Sequence, residues 1–153
     1  MTLPIPPSPG NNIVQLHILK SMQVVIDTSA IMAILLEEPE RSALIAATDG
    51  ATLLAPAVLP WEVGNALVTI IRRRRLSEAD ARLAWHAYEA IPSRLVDVDV
   101  GEAISLATRY GLYAYDAYFL ALAKLRSLRL LTLDQRLGVA ARRAGVDLVE
   151  VRG

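Results

Sequence analysis

Short apolar runs alternate with longer segments of helical periodicity along most of this chain. The runs predict strands at Gln23–Ile26, Thr52–Ala55, Arg94–Val98, Leu128–Thr132 and Asp147–Val151. Short runs rich in leucine and β-branched residues are typical of strands buried on both faces of a parallel sheet. Because they alternate with helices, they predict an α/β fold in which helices cover both faces of a mainly parallel sheet.

The segments between these strands carry residues that start and stop helices. Ser77 and Asp99 are suited to cap helices that run to Ala90 and Tyr110, and Gly111 is suited to end the second of them. A proline is tolerated in the first turn of a helix, which is where Pro39 is expected. Further helices are predicted over Thr28–Leu36, Pro39–Ala47, Val58–Arg74, Tyr115–Leu125 and Asp134–Arg143.

The chain is 153 residues long, which suggests one domain. Residues 1–22 are rich in proline and are expected to form a disordered tail, with residues 23–153 as the folded domain. The tail lacks the basic start of a signal peptide. Within it, only Ile13–Leu19 shows a weak strand pattern.

Composition excludes several classes of site and partner. Hydrophobic residues make up 54% of the chain, but no apolar run reaches the roughly 20 residues that span a bilayer. We therefore expect no membrane segment, and an apolar surface that contacts a partner chain. The 16 basic and 16 acidic residues cancel, so any nucleic-acid contact must come from local clusters of charge. The absence of cysteine excludes disulfides and thiolate metal sites, and fits a cytoplasmic protein.

Two acidic residues follow predicted strands, and two more interrupt apolar helices. Asp27 directly follows the first strand and Asp134 follows the fourth. Both are expected at the carboxyl edge of the sheet, where ligands bind in such folds. Glu62 and Asp116 lie in otherwise apolar helical segments, and a buried carboxylate is costly unless it is paired or bound to a metal. We therefore expect the four carboxylates to converge on one site.

Carboxylates without histidine or cysteine favour a hard cation, so Mg²⁺ or Mn²⁺ is expected rather than Zn²⁺. Such ions activate water and stabilise charge on a phosphodiester. Taken singly, each acid also has a structural explanation: Asp27 and Asp134 are suited to cap helices. Glu62 fits an exposed helix face, and Asp116 a helix N-terminus. A metal explains all four together better, because without one they repel each other.

The segments that contain these acids together resemble the PIN domain, and within it the VapC toxins of bacterial toxin–antitoxin pairs. These segments are Val25–Ala30, Pro60–Leu67, Tyr115–Ala123 and Leu131–Leu137, and the resemblance extends over residues 23–151. It implies a three-layer α/β/α sandwich and an endoribonuclease that depends on Mg²⁺ or Mn²⁺. It also implies inhibition by a cognate antitoxin, and homodimers are usual in the family.

The resemblance assigns roles to particular residues. The family's metal-binding and catalytic acids correspond to Asp27, Glu62, Asp116 and Asp134. Its hydroxyl and polar positions, expected to orient water or substrate, correspond to Ser29, Asn65 and Thr132. Because no acid of the motif is missing, the expected reaction is hydrolysis of RNA phosphodiester bonds.

Two further features each have two interpretations. The run Arg72–Arg75 is either a phosphate-contacting patch or a set of solvated cations at a helix C-terminus. The stretch Ala30–Leu36 holds more apolar residues than one helix face needs. It either belongs to the core or receives an antitoxin segment or a second protomer.

Two other functions compete with hydrolysis of RNA. A receiver-like switch needs an acid pair after the first strand and a lysine near a strand end. Asp27 stands alone and Lys124 lies within a predicted helix, so this function is disfavoured. The second alternative is a catalytically inactive PIN fold that binds RNA or protein, and the complete acidic set argues against it.

Overall fold

A computed structural model describes residues 22–152 of the chain. Within this range, four strands and seven helices follow one another in an alternating order. They are β1 (Gln23–Ile26), α1 (Thr28–Leu35), α2 (Arg41–Thr48), β2 (Thr52–Pro56), α3 (Leu59–Arg72), α4 (Glu78–Glu89), β3 (Ser93–Val96), α5 (Val100–Tyr110), α6 (Ala114–Arg126), β4 (Arg129–Leu131) and α7 (Gln135–Arg143). The predicted tail, including the weak strand pattern at Ile13–Leu19, lies outside the described residues.

The strands form one parallel sheet in the order β3-β2-β1-β4. The apolar run Val24–Ile26 of β1 is fully buried, as expected for an interior strand that is covered on both faces. Ile26 lies opposite Leu131 of β4. Since the two strands are parallel, their carboxyl ends lie side by side, and the residues that follow them, Asp27 and Thr132, meet at one edge of the sheet.

The helices pack in two groups around this sheet. Helix α1 contacts α2, α3 and α4, whereas α6 contacts α5, α7 and the strands β1, β2 and β4. The middle of α6 is buried almost all round, from Ala117 to Ala123 except for the partly buried Tyr118, which explains the near absence of charge in its sequence. This arrangement is the predicted three-layer α/β/α sandwich. None of the helices within residues 22–152 is long and apolar enough to cross a membrane.

The predicted strand at Asp147–Val151 is wrong. Only Leu148 forms a bridge, to Leu130 of β4, through hydrogen bonds from the Leu130 N–H to the Asp147 carbonyl and from the Val149 N–H to the Leu130 carbonyl. Strand β4 is itself only three residues long, so it offers few backbone groups for a further strand to pair with.

Several predicted boundaries also move. Helix α2 begins at Arg41, so Pro39 lies in the preceding turn and not in the first helical turn. Helix α3 ends at Arg72, two residues before the predicted end, because Arg74 adopts a left-handed conformation with φ of 55°. Strands β3 and β4 end at Val96 and Leu131, each earlier than predicted.

The apolar stretch Ala30–Leu36 was predicted either to belong to the core or to receive a partner chain, and each half of it fits a different interpretation. Ala30–Ala33 is buried in the core. Ile34, Leu35 and Leu36 are only partly buried against it. Core packing therefore explains the first half of the stretch, and the second half leaves apolar surface at the end of α1.

Candidate active site

Asp27 stands at the end of β1 and is the one buried charged residue within residues 22–152, with 3% of its surface exposed. Its backbone N–H donates to the carbonyl of Leu131 in β4 at 3.1 Å, which attaches it to the sheet edge. Its Oδ1 accepts a hydrogen bond from the Ala30 N–H at 3.0 Å and thereby caps α1. The expected helix cap and the expected place at the sheet edge thus coexist in one residue.

Two hydroxyl groups hold the Asp27 carboxylate. Ser29 Oγ donates to Oδ1 at 2.7 Å, and Thr132 Oγ1 donates to Oδ2 at 2.5 Å. The same hydroxyl oxygens accept the backbone N–H groups of Leu133 at 2.9 Å and Asp134 at 3.0 Å. Each hydroxyl therefore links the carboxylate to the segment after β4, which fixes the strand ends and the carboxylate relative to one another.

The other three acids stand at the N-termini of helices. Glu62 lies in the first turn of α3 and Asp116 in the first turn of α6. Asp134 caps α7, with its Oδ1 accepting from the Leu137 N–H at 2.9 Å. The positive end of a helix dipole favours a carboxylate at each of these places. Together with Asp27 at α1, four helix N-termini supply the acidic side chains.

The four acids form one electrostatic cluster. Burial, with a smaller contribution from the charge of Asp134, raises the pKa of Asp27 to about 6 in spite of its three hydrogen bonds. Burial also raises the pKa of Glu62, with added repulsion from Asp116 and Asp27. Asp116 has a pKa raised by burial and by the charge of Asp134. Each acid therefore repels at least one of the others, so their proximity costs stability unless a cation joins them.

The chemistry of this cluster fits a hard divalent cation. Its donors are carboxylate oxygens, which suit Mg²⁺ and Mn²⁺ better than softer metals. As they stand, however, no three acidic or histidine side chains within residues 22–152 are grouped as ligands of a single ion. The acids influence one another's pKa, but they are not grouped as the ligands of one ion.

Comparison with known protein families decides the classification. The model of the PIN domain matches residues 24–143, a stretch that spans most of the chain and contains all four acids. The chain belongs to the PIN-domain family. The resemblance inferred from the sequence is thereby confirmed.

Curated relatives of this PIN domain carry ribonuclease names. Ribonuclease VapC3 of Pyrobaculum aerophilum is 32% identical over 121 residues, which cover 76% of this chain and 92% of the relative. Ribonuclease VapC9 of Mycobacterium tuberculosis is 35% identical over 115 residues, which cover 74% of this chain and 87% of the relative. Both relatives place the chain among the VapC proteins of the family.

Two solved structures share the fold of this PIN domain. PAE2754 from Pyrobaculum aerophilum matches with a TM-score of 0.65 and 23% identity, over 84% of this chain and 85% of the other. FitAcB from Neisseria gonorrhoeae matches with a TM-score of 0.59 and 19% identity, over 83% of this chain and 96% of the other. These matches confirm the predicted architecture.

Two residues of the PIN-domain site were not assigned a role from the sequence. Thr28 Oγ1 donates to Glu62 Oε2 at 2.9 Å, which joins α1 to α3. Arg136 lowers the pKa of Asp116, and its guanidinium lies 5.2 Å from the centre of the Tyr113 ring. Thr28 directly follows Asp27 in the sequence, and a hydroxyl next to a predicted metal ligand is a feature that could have marked it as a site residue. No local pattern distinguishes Arg136 from the other exposed arginines, since its role depends on contacts between distant elements.

Asn65 lies one turn after Glu62 on α3 and is exposed. Its position leaves it at the rim of the acidic cluster rather than inside it.

The run Arg72–Arg75 is also exposed, and none of its members forms a salt bridge with another residue of the described range. These arginines lie at the opposite end of α3 from Glu62.

Proposed function

We propose that this protein is a metal-dependent endoribonuclease, the toxin of a type II toxin–antitoxin pair, with residues 23–153 as its nuclease domain. The observation that carries the proposal is the buried Asp27 carboxylate, which neighbours three further acids and has a pKa raised to about 6. A cluster of repelling carboxylates is costly in a purely structural role. The ribonuclease names of the VapC relatives support RNA as the substrate.

In this proposal, Asp27, Glu62, Asp116 and Asp134 hold the metal directly or through water. Bound Mg²⁺ or Mn²⁺ would supply a water of lowered pKa as the nucleophile and would stabilise charge on the phosphate. The family's activity with divalent metals makes either ion a candidate.

The polar residues around the acids then divide into two roles. Ser29 and Thr132 donate their hydroxyl hydrogens to Asp27. We therefore assign them to orienting that carboxylate, so that they position water or substrate through it. Asn65 is exposed beside Glu62, and we assign it a direct contact with water or phosphate.

The proposal includes two protein partners and a cytoplasmic location. The partly exposed end of α1 meets α4 in a shallow depression lined by Leu35, Leu36, Leu76 and Leu83, among others, and we assign it to the cognate antitoxin.

We assign a second copy of the chain to the exposed apolar residues Val100 and Ile104, which lie one turn apart on α5. An Ile104→Glu variant that sediments as a monomer, beside a dimeric wild type, would support this assignment. A wild type that is monomeric by itself contradicts it.

Cleavage of pooled cellular RNA by the purified protein tests the central proposal. The reactions contain Mg²⁺, Mn²⁺ or EDTA, and an Asp116→Asn variant runs beside the wild type. Asp97→Asn is the matched control, because Asp97 is exposed and belongs to none of the four helix starts. Discrete cuts that disappear with EDTA and with Asp116→Asn, but not with Asp97→Asn, are expected.

Two results would contradict the proposal. Cleavage of RNA by Asp116→Asn at the wild-type rate would refute the assignment of the acidic cluster as the active site. A folded wild type that neither cleaves RNA nor binds Mg²⁺ or Mn²⁺ favours the inactive binding module instead.

A further inference from the structure

One face of α3 carries an exposed stripe that starts beside the acidic cluster. Trp61, Asn65, Val68 and Arg72 follow one another at intervals of four, three and four residues, which places them on one side of a helix. All four are exposed, with Trp61 at 78% and Val68 at 44%. The opposite side of α3 holds the buried Leu59, Val63 and Leu67. The stripe is therefore not needed for the core of this chain.

The exposure of Trp61 is the unusual feature of this stripe. Tryptophan is large and mostly apolar, and it is normally well buried. The chain has two tryptophans, and the other, Trp85, packs partly buried against the core with its ring centre 5.1 Å from that of Tyr88. Trp61 has no such partner ring within residues 22–152. An aromatic ring left in solvent suits a ligand that stacks on it.

The stripe joins two regions of opposite charge. Trp61 directly precedes Glu62, whose carboxylate belongs to the acidic cluster. At the other end, α3 closes with Arg72 and continues into Arg73–Arg75, all exposed and none in a salt bridge with another residue of the described range. Eleven residues of helix place Arg72 roughly 16 Å beyond Trp61 along the axis. A chain of phosphates that passes the metal site would therefore reach these cations within a few nucleotides.

We infer that this face of α3 binds the single-stranded RNA that flanks the bond to be cut, an inference that rests on the ribonuclease function proposed above. Trp61 stacks a base, Asn65 contacts a base edge or phosphate, and Arg72 with Arg73 binds the backbone. Stacked aromatic residues together with cations are the usual means of holding single strands. A protein partner is less well matched, because an amide lies between the two apolar residues of the stripe and a guanidinium ends it. The Arg72–Arg75 run thereby acquires its phosphate-contacting interpretation.

Binding of a fluorescently labelled, single-stranded oligoribonucleotide of mixed sequence tests this inference in the presence of EDTA. Trp61→Ala is expected to weaken binding at least about fivefold, the loss of one stacked base, whereas Trp61→Phe retains most of it. The double variant Arg72→Ala, Arg73→Ala is expected to reduce the slope of log affinity against log salt by about 0.7 for each phosphate that is no longer neutralised. A duplex of the same sequence should bind more weakly than the single strand.

Matched controls use residues outside the stripe. Leu125→Ala removes another exposed apolar side chain, at 68% exposure. Arg126→Ala removes the terminal arginine of α6, which lies ten residues after Asp116, just as Arg72 lies ten residues after Glu62. Both should bind RNA as the wild type does. Equal melting temperatures for all variants ensure that binding, rather than folding, is compared.

A change in tryptophan emission gives a second readout. In a Trp85→Phe protein, Trp61 is the sole tryptophan, and stacking of a base should quench its fluorescence as RNA is added. An unquenched signal, or an unchanged affinity for Trp61→Ala, overturns the inference. So does a Trp61→Ala variant that binds RNA normally but sediments as a monomer beside a dimeric wild type, since the face is then an interface between copies. The binding assay in EDTA does not depend on catalysis, so it tests this RNA-binding face separately from the proposed cleavage. If RNA were cut in EDTA, that result would contradict the proposed metal dependence and not the RNA-binding face.

Discussion

Replacement of Asp27 by asparagine is expected to stabilise the metal-free protein at neutral pH. The pKa of this carboxyl is raised from its ordinary 3.8 to about 6 in the folded state. Between these two pH values, the folded protein keeps a proton on Asp27 that the unfolded chain has released. The free energy of unfolding therefore falls as pH rises through that window. Since each pH unit of such a difference is worth about 1.4 kcal/mol, ionised Asp27 lowers the free energy of unfolding by about 3 kcal/mol above pH 6.

Asparagine can take this position without leaving a buried polar group unpaired. Its Oδ1 keeps the hydrogen bonds from Ser29 Oγ and the Ala30 N–H. Its Nδ2 donates to Thr132 Oγ1, whose own hydrogen can turn toward Ser29 Oγ at 3.3 Å. The variant therefore loses the charge and keeps the network. A loss of the network would instead cost about 1–3 kcal/mol for each buried group left without a partner.

Urea unfolding in EDTA measures the effect at a series of pH values from about 4 to 7.5, which cover most of the window for Asp27 and extend above it. The stability of Asp27→Asn minus that of the wild type should grow by about 2.4 kcal/mol across this range. Asp97→Asn, at an exposed acid, should follow the wild type. Added Mg²⁺ should raise the stability of the wild type far more than that of Asp27→Asn, because binding to the folded state stabilises it. A difference that stays constant with pH, or a wild type more stable than the variant at pH 7.5, would refute the reasoning.

Three other substitutions test separate parts of the structure. Ser29→Ala removes a hydrogen bond to Asp27 and the acceptor of a backbone N–H, so urea unfolding should show a loss of about 1–3 kcal/mol; an unchanged stability contradicts this. Arg136→Ala removes the cation that lowers the pKa of Asp116, so the acid limb of the pH profile of cleavage should move to higher pH, and Arg136→Lys should largely restore it. An unshifted profile for the alanine variant rejects that electrostatic role. Gly111→Ala places a side chain at φ of 66° and should cost about 1 kcal/mol, seen as a melting temperature lower by about 2–4 °C; an equal melting temperature counts against the strained conformation.

Parts of this site follow from local sequence because parallel sheets bind ligands at a single edge. Asp27 and Asp134 were expected at that edge from their positions after strands, and both lie there. Glu62 and Asp116 were singled out because each interrupts an apolar helix, and both lie in first helical turns that contribute to the cluster. Their roles as metal ligands stay a prediction until metal binding is measured.

Other parts could not be predicted because they depend on contacts between distant residues. The hydrogen bond between Thr132 and Asp27 joins positions 105 residues apart, and that between Thr28 and Glu62 joins positions 34 apart. No periodicity in the chain records such pairs. The wrong strand at Asp147–Val151 has the same cause, since a short apolar run shows that a segment can pair but not whether its neighbour is long enough to pair with it.

The state of Asp27 shows why this site calls for a cation from outside the chain. Three hydrogen bonds from Thr132, Ala30 and Ser29 favour its charged form, and they orient both carboxylate oxygens. Burial nevertheless outweighs them, because the pKa remains well above its ordinary value. Neutral donors can therefore fix the direction of the carboxylate without offsetting the loss of water around its charge. A bound divalent ion would offset it, so the residue that costs the fold stability is the one from which metal binding should recover the most.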